Sequence, residues 1–134
     1  MASRQLLGLD VGEKRIGVAA ADTSVRIAVP IETIEVDGHE IERIAELCER
    51  DHVASIIVGY PRNQSGEATA QTAYAEAFAS LLVDIAPVEF QDESLTSVEA
   101  TRRLELSKKP YEKGDVDMQA AAIILQDYLE IHHE

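Results

Sequence analysis

Three acidic positions occupy places where a carboxylate is costly. Asp10 stands in an apolar strand, after Leu6, Leu7 and Leu9 and just before a turn at Gly12. Asp92 and Glu93 end a second apolar run, and Asp117 begins the last helical stretch. In open α/β sheets the loops leaving the carboxyl ends of the strands frame the site, so acids at these positions can converge. Converging carboxylates suit hard divalent ions such as Mg2+ or Mn2+, which take oxygen ligands and fill their shell with water and substrate phosphate. Two such ions about 4 Å apart can activate a water and stabilise a leaving oxygen, which is the chemistry of phosphodiester hydrolysis.

Other ligand types compete poorly. Cys48 is the only cysteine, so neither an internal disulfide nor a thiolate cluster can form. His39 and His52 read as solvated helix-end residues, and His132 and His133 as a fraying tail. Each acid also has a plain structural alternative. Asp10 could cap the hairpin turn, and Asp92 and Glu93 could form a solvated strand end. Asp117 could simply meet the positive end of a helix dipole. Against that, about 100° per residue puts Asp117 on the side shared with Ala120, Ala121 and Ile124. A carboxylate there needs a partner, because bare burial is expensive. Strand alternation sends Asp92 and Glu93 to opposite faces, so only one of them can enter a common site.

The elements that must position these acids follow from periodicity. Strands are expected over about 4–11, 15–21 and 28–36, joined by short turns into an antiparallel meander. Pro30 suits an edge. Asp37 and Glu40 have capping-box spacing before a helix that runs to about Arg50. The run 55–59 reads as a strand buried on both faces. A polar loop over 62–66 leads to a helix with Ala70, Ala73, Tyr74, Ala77, Phe78, Leu81, Leu82 and Ile85 on one stripe. A strand over 88–91 precedes Asp92 and Glu93. Thr96 and Glu99 make a capping box for a third helix to about Leu106, and Asp115 is the expected N-cap of a last helix over 116–131. This order predicts an α/β fold: a mixed five-stranded sheet, three antiparallel strands and then βα units, with helices on both faces.

Composition bounds the partners. The chain has 134 residues, 46% hydrophobic and 28% charged, which fits one globular domain over 1–134. The start lacks the apolar run of a signal peptide and no stretch is long enough to span a bilayer, so a cytoplasmic location without membrane contact is expected. A net charge of −13 opposes nucleic-acid binding by the body as a whole. Residues 1–26 carry about +1 and residues 94–114 about +2, and these are the only two segments that are not negative. They flank the candidate acids. Cations available for a polyanion are Lys14, Arg15, Arg62, Arg102, Arg103, Lys108, Lys109 and Lys113, and Tyr60 and Tyr111 are the candidate stacking aromatics.

The stretches LGLDVGEKRIGVAAAD, IIVGYPRNQSGE, DESLTSVEA and VDMQAAAIILQDYL, in that order, cover most of the chain. Through them it resembles the YqgF/RuvX family, small bacterial proteins of the RNase H-like superfamily. Members are taken to be Holliday junction resolvases and are implicated as nucleases that mature the 5′ end of pre-16S ribosomal RNA. The resemblance implies a metal-dependent nuclease with Asp10, Glu93 and Asp117 as catalytic metal ligands, Asp92 being the neighbour of Glu93. Lys14 and Arg15 match the basic pair of the first hairpin, and Asn63 matches the polar position after Gly59-Tyr60-Pro61. With Arg62, Lys108 and Lys109 they form the expected substrate-binding set. The implied partner is pre-rRNA or branched DNA, met as a monomer or weak dimer.

The chain departs from the family pattern at Ser94, where arginine is usual, at Glu13 in place of threonine, and at Arg62 in place of an apolar residue. Two other readings share these features. A D-x-G hairpin also opens actin-like ATPases, but those need two such domains around a nucleotide. A non-catalytic RNA- or protein-binding module of the same fold is the stronger alternative.

Overall fold

The computed structural model describes residues 3–61, 69–93, 102–107 and 113–132. The alternating runs at the start form β1 (Gln5–Val11), β2 (Arg15–Asp22) and β3 (Val29–Glu35), paired antiparallel. Gly12 N–H donates to the Arg15 carbonyl at 3.0 Å and closes the first hairpin. Helix α1 (Glu40–Asp51) leads to β4 (Val53–Tyr60), which pairs parallel with β1. Helix α2 (Ala70–Ser80) leads to β5 (Val88–Asp92), which pairs parallel with β4. Residues 102–106 form α3, and α4 (Lys113–Ile131) follows. The strand order is β3-β2-β1-β4-β5, the mixed five-stranded sheet that the pattern predicts.

Period-2 alternation sorts the central strands between two cores. Leu7, Leu9, Ile16, Val18, Ile56 and Val58 face Ile44 and Leu47 of α1 and Phe78 of α2. Leu6, Ala19, Ala21 and Ile57 face Ala121, Ile124, Leu125 and Leu129 of α4. Each fully buried Leu or Ile contributes about 1.5–3 kcal/mol. Helices therefore cover both faces, and α4 lies across the face toward which Asp10 points.

The ends of the helices correct several expectations. The N-cap of α1 is His39, without a side-chain cap bond. Asp37 and Glu40 instead accept from the N–H groups of His39 (2.9 Å) and Gly38 (2.8 Å), tying the turn before the helix. Helix α2 starts with a Thr69–Thr72 capping box and ends at Ser80, not near Ile85. Its buried side is Thr72, Ala75, Phe78 and Ala79, while Ala73, Ala77 and Leu81 are exposed. Small alanines gave the sequence no contrast from which to fix that stripe. Helix α4 begins three residues earlier than expected, so Asp115 lies within its first turn and is not the cap. The proposed box of Thr96 and Glu99 lies outside the described residues.

Helix α4 is fastened at both ends. Thr33 Oγ1 donates to the Gly114 carbonyl at its start. At its far end the Arg26 guanidinium donates to the carbonyls of Leu129 and His132. Gln126 is held by the same segment, accepting from Ala28 N–H (2.9 Å) and donating to the Arg26 carbonyl (3.2 Å).

Candidate active site

Two strands and one helix deliver the acids. Asp10 is near the end of β1, opposite Gly17 of β2. Glu93 directly follows β5, and Asp117 is in the first part of α4. Close approach of these elements depends on two glycines. A Cβ on Gly17 would fall 1.8 Å from the Asp117 carbonyl oxygen, so only glycine lets α4 settle on β2 there. A Cβ on Gly59 would fall 2.4 Å from Glu93 Oε2, so the bare backbone of β4 makes the room the carboxyl group occupies.

The Glu93 and Asp10 carboxyl groups are hydrogen-bonded to each other. Burial pushes Asp10 up from 3.8 to about 6, helped by the nearby charge of Asp117, while the bond from Glu93 works the other way. Burial, the Asp10 charge and the shared bond push Glu93 up from 4.5 to about 9. Between those values the pair carries one proton, with Glu93 donating and Asp10 accepting. Asp117 accepts from Arg15 Nε at 2.8 Å in a partly shielded ion pair. That pair raises the Arg15 guanidinium further above its ordinary range.

Asp10, Glu93, Asp117 and Arg15 are thus brought together. Of the two acids after β5, Glu93 turns toward Asp10 and Asp92 is exposed, bordering a separate hollow with Tyr60 and Phe90. Among the described residues no three His, Cys, Asp or Glu side chains are gathered into a closed ligand set, and Asp117 is engaged by Arg15. Arg62, Asn63, Lys108, Lys109 and Tyr111 lie outside the described residues. Arg102 and Arg103 are exposed on α3.

A cleft of about 350 Å³ opens beside the acids, lined by Val11, Gly12, Glu13, Lys14, Arg15, Gln71, Tyr74 and Asp117. Gln71 and Tyr74 were not singled out by the sequence as site residues. Periodicity puts Tyr74 on the packing stripe of α2, but the buried side holds Thr72 and Ala75 and leaves Tyr74 lining the cleft. An amide and a tyrosine at a helix start are ordinary residues, so the sequence gives no signal for them.

A mixed sheet of order β3-β2-β1-β4-β5, with acids on its first strand and on the helix crossing it, defines an α/β protein of the RNase H-like class. The chain belongs to the RuvX family of Holliday junction resolvases, whose pattern residues 4–131 match. A relative from Chloroflexus aggregans, named as a candidate pre-16S rRNA nuclease, is 44% identical over 97% of this chain and 96% of its own. One of the same name from Synechocystis is 41% identical over 93% of this chain and 86% of its own. The fold is shared with T. thermophilus RuvC, solved in complex with a Holliday junction substrate (TM-score 0.57, 16% identity, 95% and 94% of the two chains). It is also shared with fowlpox virus resolvase, solved with Holliday junction DNA (TM-score 0.57, 12% identity, 95% and 97%).

Among the described residues no helix is long and apolar enough to cross a membrane.

Proposed function

We propose that the chain is a single-domain, divalent-metal-dependent nuclease of the cytoplasm that cleaves structured nucleic acid, with the 5′ region of pre-16S rRNA as its substrate. The observation that carries this reading is the hydrogen-bonded carboxyl pair of Asp10 and Glu93, near Asp117, which itself lines a cleft bearing Lys14 and Arg15. Two buried carboxyl groups that share one proton at neutral pH are poised for a cation in its place. The donors are all hard oxygens, and Mg2+ needs only one or two protein carboxylates, so the residues fit Mg2+ or Mn2+. Asp10, Glu93 and Asp117 would hold the ion, which would polarise the scissile phosphate and lower the pKa of an attacking water.

The remaining work falls to the chain itself. Lys14 and Arg15, on the hairpin tip, face an incoming phosphate from the cleft side. Arg15 also neutralises Asp117, which keeps an acid-rich site from repelling a polyanion. Recognition through backbone and shape suits a surface with few aromatics.

Cleavage assays with a pre-16S 5′-leader RNA and a four-way DNA junction, in Mg2+ or Mn2+, test the reading. The wild type should cut, and Asp10→Asn, Glu93→Gln and Asp117→Asn should each lose on the order of a hundredfold or more in rate. Cleavage of the junction but not the RNA would move the substrate to branched DNA. Binding without metal-dependent cleavage of either would leave a non-catalytic module.

A further inference from the structure

The cleft beside the acids has walls more varied than a phosphate alone requires. Lys14 presents an exposed ammonium, Gln71 an exposed amide and Tyr74 a half-buried ring, around the apolar side of Val11. Glu13 adds an exposed carboxylate at the hairpin tip. The amide supplies two donors and an acceptor, the pattern that base edges demand. A tyrosine ring offers a stacking face that any base can use. At about 350 Å³ the space lies at the small end of the range for small-ligand pockets. That is room for one nucleotide.

The position of the cleft matters as much as its contents. Asp117 and Arg15 belong both to the cleft and to the acid cluster, so a nucleotide seated there adjoins the phosphate that the acids would address. Its two walls come from opposite faces of the sheet, the hairpin and α4 on one side and α2 on the other. The Thr69–Thr72 capping box and the bond from Thr72 Oγ1 to the Pro61 carbonyl fix the first turn of α2, and with it Gln71 and Tyr74. The wall is held in place before any ligand arrives, which reduces the ordering cost of binding.

We propose that this cleft is a subsite for one unpaired nucleotide. Lys14 takes its phosphate, Tyr74 stacks on its base and Gln71 hydrogen-bonds the base edge. The placement next to the cut rests on the nuclease reading above; the nucleotide preference itself does not. It makes the chain selective for a strand with an unpaired residue adjoining the scissile phosphate, rather than for uninterrupted duplex.

Fluorescence anisotropy with chelator present, and therefore without cleavage, tests the subsite. The probes are a labelled RNA hairpin bearing a three-nucleotide single-stranded extension and the same hairpin blunt-ended. The wild type should bind the extended probe about tenfold more tightly than the blunt one. Tyr74→Ala should remove that preference, Tyr74→Phe should retain it, and Gln71→Ala should reduce it severalfold. Lys14→Ala should weaken the extended probe more than the blunt one, because only the extended probe seats a phosphate against it. Thermal melting identifies any variant that has lost its fold. Equal binding of the two probes by wild type, or an unchanged preference in folded Tyr74→Ala, overturns the subsite. Neither result touches the nuclease reading, which stands or falls on metal-dependent cleavage and its loss in Asp10→Asn.

Discussion

The proton shared by Asp10 and Glu93 has a measurable consequence for stability. Both groups have folded values above their unfolded ones, about 6 against 3.8 and about 9 against 4.5. Their contribution is therefore fully present below about pH 4 and is lost as pH rises through 6 and then 9. With chelator present, melting temperature should fall between pH 5 and pH 9. Glu93→Gln keeps a donor toward Asp10 and cannot ionise, so its melting curve should be nearly flat above pH 7. Added Mg2+ should raise the wild-type melting temperature most at the alkaline end, where the proton no longer competes with the metal. A wild type whose melting temperature rises with pH under chelation would refute the shared proton. The acids were legible in the sequence because a carboxylate in an apolar strand, or on the inward stripe of a helix, is an anomaly that invites explanation. The link from Arg15 to Asp117 was not, since nothing local connects residues 102 positions apart.

At the scale of elements, the decisive contact is that of α4 with β2 and β4. Gly17→Ala puts a methyl group against backbone, the Asp117 carbonyl at 1.8 Å, so the helix must lift. The cost should be about 1–3 kcal/mol in urea unfolding, with nuclease activity lost as Asp117 moves. Gly59→Ala meets the ends of two side chains, Glu93 Oε2 at 2.4 Å and Ile124 Cδ1 at 2.6 Å, which can swing away. Its stability loss should be smaller than that of Gly17→Ala, and its activity loss comparable. At the start of α2, Thr69→Ala removes the acceptor for Thr72 N–H and should cost about 1 kcal/mol. Buried apolar runs revealed the central strands, because Leu6–Leu9 and Ile56–Val58 are apolar without interruption by a charged residue. The stripe of α2 stayed hidden, because alanine satisfies either side of a helix. Gly17 and Gly59 stood in the family-like stretches, but their reason appears only once α4 is seen crossing above them.

For the molecule as a whole, charge decides how a polyanion approaches. The body carries a net charge of −13, and Lys14 and Arg15 sit at the cleft on the rim of that field. Affinity should then depend on few phosphate contacts, and Lys14→Ala should reduce the slope of log affinity against log salt by about one. An unchanged slope would place the phosphate contacts elsewhere. The acidic composition was plain from the sequence, while the side of the molecule left open to nucleic acid depended on the topology.

The fastening of α4 reaches beyond the static architecture to the order of events during synthesis. Its bonds join Arg15 to Asp117, Thr33 to Gly114 and Arg26 to Leu129, spans of 102, 81 and 103 residues. Contacts so distant in sequence close late and slowly. The hairpin carrying Asp10 leaves the ribosome early, yet it lacks its covering helix until residues beyond 129 have emerged. The cluster of Asp10, Glu93 and Asp117 is thus completed only once α4 has been synthesised and has docked across the sheet.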